Sequence, residues 1–178
     1  MSYSPWQRAE VPGPKRGIPL QRPEVLSALL NKSKRPILIV GHKSVEMDLR
    51  GKKLIDYLIN LAKTGKIPVI ATAHIIKEFS TRGFDNVTSM PVMDVANRLR
   101  DPDWKGLDGL GPYDLALFAG LPYYMEWLVL SGLKDSKSLK TISIDGFFQP
   151  NASWSTPNIS SSELGDFLDG LIGKLGEN

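Results

Sequence analysis

The sequence predicts a single α/β domain: a three-layer, doubly wound parallel sheet of five to six strands, preceded by an extended N-terminal arm. Three observations carry that expectation. Short unbroken apolar runs recur, such as Ile37 to Val40 and Leu115 to Ala119. A strand covered on both faces reads this way because it has no polar side. Segments of helical period separate the runs, which is the alternation of a βαβ chain. Each run also ends in a glycine or a small polar residue (Gly41, Thr72, Gly120, Asp145), where an open α/β sheet turns beside its ligand crevice.

In chain order, residues 1–22 carry Pro5, Pro12, Pro14, Pro19 and Trp6. Proline fixes φ and removes a donor, so this arm is neither helix nor central strand. It is a disordered leader or a docking segment, and the tryptophan favours docking. The domain proper spans residues 23–178. Pro23 starts a helix with Val25, Leu26, Leu29 and Leu30 on one face. A strand over Ile37 to Gly41 follows, then a helix over 49–64 with Gly65 as its C-cap. The next strand is Ile67 to Ala71, with a short helix around Ile75 to Phe79 and a short strand within Asn86 to Met90. Met93 to Arg100 reads as helix, and residues 101–112 as a glycine- and proline-rich loop. A strand over Leu115 to Ala119, a helix over Tyr123 to Leu133 and a strand over Lys140 to Ile144 complete the alternation. Residues 147–160 are polar and irregular. Ser161 or Ser162 caps a last helix through Phe167, Leu168, Leu171 and Ile172. The pattern is Rossmann-like, with right-handed crossovers.

Composition narrows the chemistry. The chain has no cysteine and only two histidines, His42 and His74. Disulfides, thiolate nucleophiles and cysteine-ligated clusters are excluded, and the expected metal ligands are none. The net charge of +3 resides in the arm, where Arg8, Lys15, Arg16 and Arg22 face Glu10. The remainder carries 18 basic and 18 acidic residues, and a neutral body with a basic arm points away from nucleic acid, which needs a basic face. The arm suits an acidic protein surface instead. Leu115 to Leu121, the longest apolar stretch, is too short to span a bilayer. The polar, proline-rich N-terminus has no apolar signal-peptide core, so the expected location is the cytoplasm.

Candidate site residues lie at the strand ends: Gly41, His42 and Lys43, then Thr72, Gly120 and Asp145. Lys43 could neutralise a phosphate, Asp145 could accept from a hydroxyl or amide, and His42 could stack on a ring. The same glycines are needed for the turns whether or not a ligand binds, and the first turn lacks the second and third glycines of a dinucleotide fingerprint. No nucleophile–base pair stands out, so no catalytic residue is assigned. Asp101, Asp103 and Asp108 share a loop whose spacing fits no EF-hand. Tyr123, Tyr124 and Trp127 cannot all face one side of a helix, so at least one is exposed or meets a partner.

The runs Arg35-Pro-Ile-Leu-Ile-Val-Gly, Ile67-Pro-Val-Ile-Ala-Thr, Asp114-Leu-Ala-Leu-Phe-Ala-Gly and Thr141-Ile-Ser-Ile-Asp, in that order, resemble the middle domain of thiamine-diphosphate enzymes. That domain is a six-stranded Rossmann-like sheet which holds FAD or an adenine nucleotide in some members. Pro5-Trp6-Gln7, Gly13-Pro14-Lys15 and Gly41-His42-Lys43 add a closer resemblance, to epsilon subunits of the archaeal acetyl-CoA decarbonylase/synthase complex. This second resemblance implies a small accessory subunit on the large nickel–iron–sulfur alpha subunit, in an alpha-two epsilon-two carbon monoxide dehydrogenase component. It implies stabilisation of the large subunit or electron transfer through a flavin, with the metal clusters in the partner alone. It carries over no catalytic residue. In isolation, a homo-oligomer is the alternative assembly.

Overall fold

A computed structural model describes residues 16–72 and 74–177. Trp6 and the rest of residues 1–15 lie outside the described residues, and so does Ala73. The chain runs β1 (Ile18–Pro19), α1 (Pro23–Lys32), β2 (Pro36–Val40), α2 (Lys43–Glu46), β3 (Asp48–Leu49), β4 (Lys52–Lys53), α3 (Leu54–Gly65) and β5 (Val69–Ala71). It continues through α4 (Ile76–Thr81), β6 (Val87–Ser89), α5 (Val92–Arg100), β7 (Leu115–Ala119), α6 (Tyr123–Leu133), β8 (Lys140–Ser143), β9 (Trp154–Ser155) and α7 (Ser161–Gly176).

Seven strands form one sheet in the order β1-β9-β8-β7-β2-β5-β6, and every pairing in it is parallel. From the central β2, the chain winds outward through β5 and β6, then returns and winds the other way through β7, β8 and β9. The switch point lies between β2 and β7, as in a doubly wound nucleotide-binding sheet. The expectation of a Rossmann-like α/β fold therefore holds.

The apolar runs are explained by two cores. In β2, Leu38 and Val40 face the core beneath α1, α3 and α7, while Ile37 and Ile39 face the core beneath α5 and α6. All four are fully buried. At about 1.5–3 kcal/mol per buried aliphatic side chain, these runs drive the folding of the sheet.

The structure differs from the sequence reading at several places, among them the short helix α2. Ile18–Pro19 is a two-residue edge strand and Trp154–Ser155 a two-residue strand between it and β8, which brings the sheet to seven. Pro19 is tolerated because an edge strand has one unpaired side. The helix expected from residue 49 begins at Leu54, because Arg50 and Gly51 take left-handed conformations in a β3–β4 hairpin. Gly51 N donates to Asp48 Oδ1 and fixes that turn. The left-handed C-cap of α3 is Lys66, with φ of 51°, one residue beyond Gly65. Ser160, not Ser161 or Ser162, caps α7: its side chain accepts from Glu163 N, and the Glu163 carboxylate accepts from Ser160 N. Among the described residues no helix is long and apolar enough to cross a membrane.

Asp114, just before β7, locks the entry to β2. Its carboxylate accepts from Ser33 Oγ, from Lys34 N at 2.8 Å and from Arg35 N at 3.0 Å. Partial burial pushes its pKa up, but these hydrogen bonds outweigh burial and hold it below the usual carboxylate range. A carboxylate with a depressed folded pKa adds stability above its unfolded pKa and loses it as pH falls through the folded one. Asp114→Asn should therefore cost about 1.5–3 kcal/mol at pH 7. The gap to the parent should close in acid, read by urea unfolding at pH 7 and pH 3.

Candidate functional site

Four of the candidate residues, Gly41, Lys43, Gly120 and Asp145, converge on the C-terminal ends of β2, β7 and β8. Gly41 and Gly120 lie back to back across the switch point. A Cβ on Gly41 would stand 2.2 Å from Gly120 O, and one on Gly120 would stand 2.7 Å from Ser44 N. Gly120 also has φ of 69°, a conformation that favours glycine. Gly41 N donates to Ala119 O at 2.9 Å, Lys43 N to Gly120 O at 2.9 Å and Ser44 N to Gly41 O at 3.1 Å. Ser44 Oγ also donates to Gly41 O, at 2.7 Å. In a dinucleotide site such turn amides point at phosphate. In this chain they are used inside the protein.

Asp145 follows β8 and faces this junction. Its carboxylate accepts from Gly120 N at 3.1 Å and Gly146 N at 2.9 Å. Burial raises its pKa, against those two amides and the nearby Lys43 ammonium. Gly41, Lys43, Gly120 and Asp145 thus form one contiguous group. Thr72 belongs to the other side of β2: its N and Oγ1 both donate to Val40 O, at 2.9 and 3.1 Å. His42, half-buried, is the residue before α2 and makes no side-chain cap. In the 101–112 loop, Asp108 is held by the Arg35 guanidinium, with Nη2 to Oδ1 at 2.6 Å.

A chamber of about 110 Å³ opens beside the junction, between the ends of β7 and β8 and the first turns of α6. Lys43 and Asp145 line it, together with Tyr123, Glu126, Phe147 and Gln149. Glu126 is fully buried, and its Oε1 has no hydrogen-bond partner. Burial, reinforced by the charge of Asp145, pushes its carboxyl up to about 8; the Ser143 hydroxyl beside it opposes the shift without completing a hydrogen bond. Sequence reasoning missed Glu126. It stands three and four residues before the buried Val129 and Leu130, so helical period alone places it on the inward face of α6. Gln149 was also missed, because residues 147–160 show no period.

Glu126 makes stability fall with rising pH. Its folded pKa lies above its unfolded value, so between about 4.5 and about 8 the unfolded chain has lost a proton that the folded chain keeps. Glu126→Gln should remove that part of the decline and leave what the raised pKa of Asp145 contributes. The variant should exceed the parent by several kcal/mol at pH 9, and the margin should shrink towards pH 5, in denaturant unfolding at the two pH values.

The family described as carbon monoxide dehydrogenase beta subunit/acetyl-CoA synthase epsilon subunit matches residues 1–171. The chain is 37% identical over 158 residues to the acetyl-CoA decarbonylase/synthase complex subunit epsilon of Methanothrix soehngenii, covering 88% of this chain and 81% of the relative. It is 30% identical over 166 residues to the subunit of the same name from Methanothermobacter thermautotrophicus, covering 93% and 92%. It is 34% identical over 158 residues to epsilon 1 of Archaeoglobus fulgidus, covering 84% and 83%. The fold, the spent turn amides and these matches agree, and the chain belongs to the family of epsilon subunits of acetyl-CoA decarbonylase/synthase complexes.

Proposed function

We propose that this chain is a cytoplasmic accessory subunit without metal of its own, which stabilises the metal-bearing large subunit of a carbon monoxide dehydrogenase component in an alpha-two epsilon-two assembly. The observation that carries this reading is the pairing of a cysteine-free sequence with an uncovered apolar rim. No thiolate is available to ligate a nickel–iron–sulfur cluster, so such chemistry belongs to a partner. The rim lies on α6 and the loop after β8. Tyr124 is 70% exposed, Phe147 65% and Leu128 52%, with Tyr123 packed edge-on against Phe147. Tyr124 and Leu128 lie one helical turn apart, on one face. Aromatics gathered on a surface mark contact sites.

A second reading is an electron carrier holding FAD or another nucleotide. It is supported by the strand order and by Lys43 and Asp145 at the switch point. The inward-turned amides of Lys43 and Ser44 weigh against it, because they leave no phosphate cradle on that turn.

The docking reading predicts that Tyr124→Ala and Phe147→Ala each weaken co-purification with the large subunit by about 30-fold in apparent affinity, the scale of a hot-spot aromatic. Circular dichroism should stay unchanged, since both side chains are exposed. Full-strength co-purification of the double variant would contradict it. Carbon monoxide oxidation by the isolated, metal-supplied chain would contradict the accessory role.

A further inference from the structure

We propose that the chamber between α6 and the ends of β7 and β8 is a binding site for the carboxamide group of a small planar molecule, seated between Glu126 and Gln149. Two buried side-chain oxygens on its lining residues lack partners: Glu126 Oε1 and Gln149 Oε1. A buried polar atom without a partner is costly, so each calls for a complement. The orientation of Gln149 is fixed. Its Nε2 donates to Tyr123 O at 3.1 Å, so exchanging the amide ends would set oxygen against oxygen. Gln149 Oε1 is therefore an acceptor awaiting a donor.

Glu126 offers more. As a neutral acid it presents one O–H donor and one carbonyl acceptor. A primary carboxamide completes this arrangement. Its oxygen accepts from the acid O–H, one N–H returns to the acid carbonyl, and the second N–H reaches Gln149 Oε1. A carboxylate in the same place would confront the Gln149 oxygen and the charge of Asp145. An ammonium has donors for the two orphan oxygens but no acceptor for the Glu126 O–H, and it would stand beside the like charge of Lys43 on the same lining.

Size limits the occupant. About 110 Å³ corresponds to roughly four waters of liquid volume, well below the ~300 Å³ at which whole-ligand pockets begin. One ring-sized group fits. Its flat faces would meet Leu121 and the Tyr123–Phe147 pair. The groups that titrate around Glu126 are Asp145 after β8, Lys43 at the start of α2 and Tyr123 on α6 itself. With the Glu126 pKa at about 8, the protonated form, and the affinity with it, should fall about tenfold between pH 7 and pH 9. The proposal is independent of docking on the large subunit, and its test needs only this chain.

The test is calorimetric titration of the purified full chain at pH 7 with three near-isosteric probes: nicotinamide, nicotinate and 3-picolylamine. Nicotinamide should bind, with affinity about tenfold weaker at pH 9, and the other two should not. Glu126→Gln keeps a donor and an acceptor, so it should retain nicotinamide binding and lose the pH dependence. Glu126→Leu, which suits the apolar face of α6, should abolish binding. No heat with nicotinamide would mean that the chamber holds only water, and would overturn the proposal. So would equal binding of all three probes by the parent chain. Because that comparison needs no variant, a variant that fails to fold leaves the decision intact.

Discussion

The close approach of Gly41 and Gly120 governs everything else at the top of the sheet. The two halves of the fold meet at β2 and β7, and their first turns lie too near for either residue to carry a Cβ. From that contact follow the hydrogen bonds that Lys43 N donates to Gly120 O and Ser44 N to Gly41 O, the positive φ of Gly120 and the anchoring of Asp145 by Gly120 N. The crevice that such a sheet normally opens at its switch point is filled by backbone. Open space is displaced sideways, beneath α6, where it meets two carboxyls and a glutamine in place of a row of amides.

This displacement reconciles the family with the fold. The strand order is that of a nucleotide-binding sheet, yet the phosphate-cradling part of the first turn is tied to the protein itself. Such a scaffold is close-packed at its centre and leaves apolar side chains uncovered at its rim. Phe147 lines the chamber, and the exposed Tyr124 and Leu128 lie on the outer face of α6, turned away from Glu126. The proposed stabilising role calls for this combination: a close-packed core, and an exposed apolar surface for a partner to cover.

Much of this was legible in the residues. Ile37 to Val40 and Leu115 to Ala119 announced central strands because burial on both faces leaves no polar side, and Pro23 announced the start of α1. The strand-end positions of Gly41, Gly120 and Asp145 followed from the same runs. Other features carried no local signal. Ile18–Pro19 and Trp154–Ser155 are too short for any period and exist only because each pairs in the sheet. The hairpin before α3 depends on Arg50 accepting a left-handed conformation, which composition does not foretell. The role of Glu126 depends on burial beside Asp145, which lies nineteen positions away in the chain and one strand away in space.

The most direct test of this account is amide hydrogen exchange on the chain alone and in the assembled complex with its large subunit. The account predicts added protection on assembly over the first turns of α6 and residues 146–149, with α1 and α7 unchanged. Protection confined to α1 and α7, with the aromatic rim exchanging as freely as in the isolated chain, would contradict it.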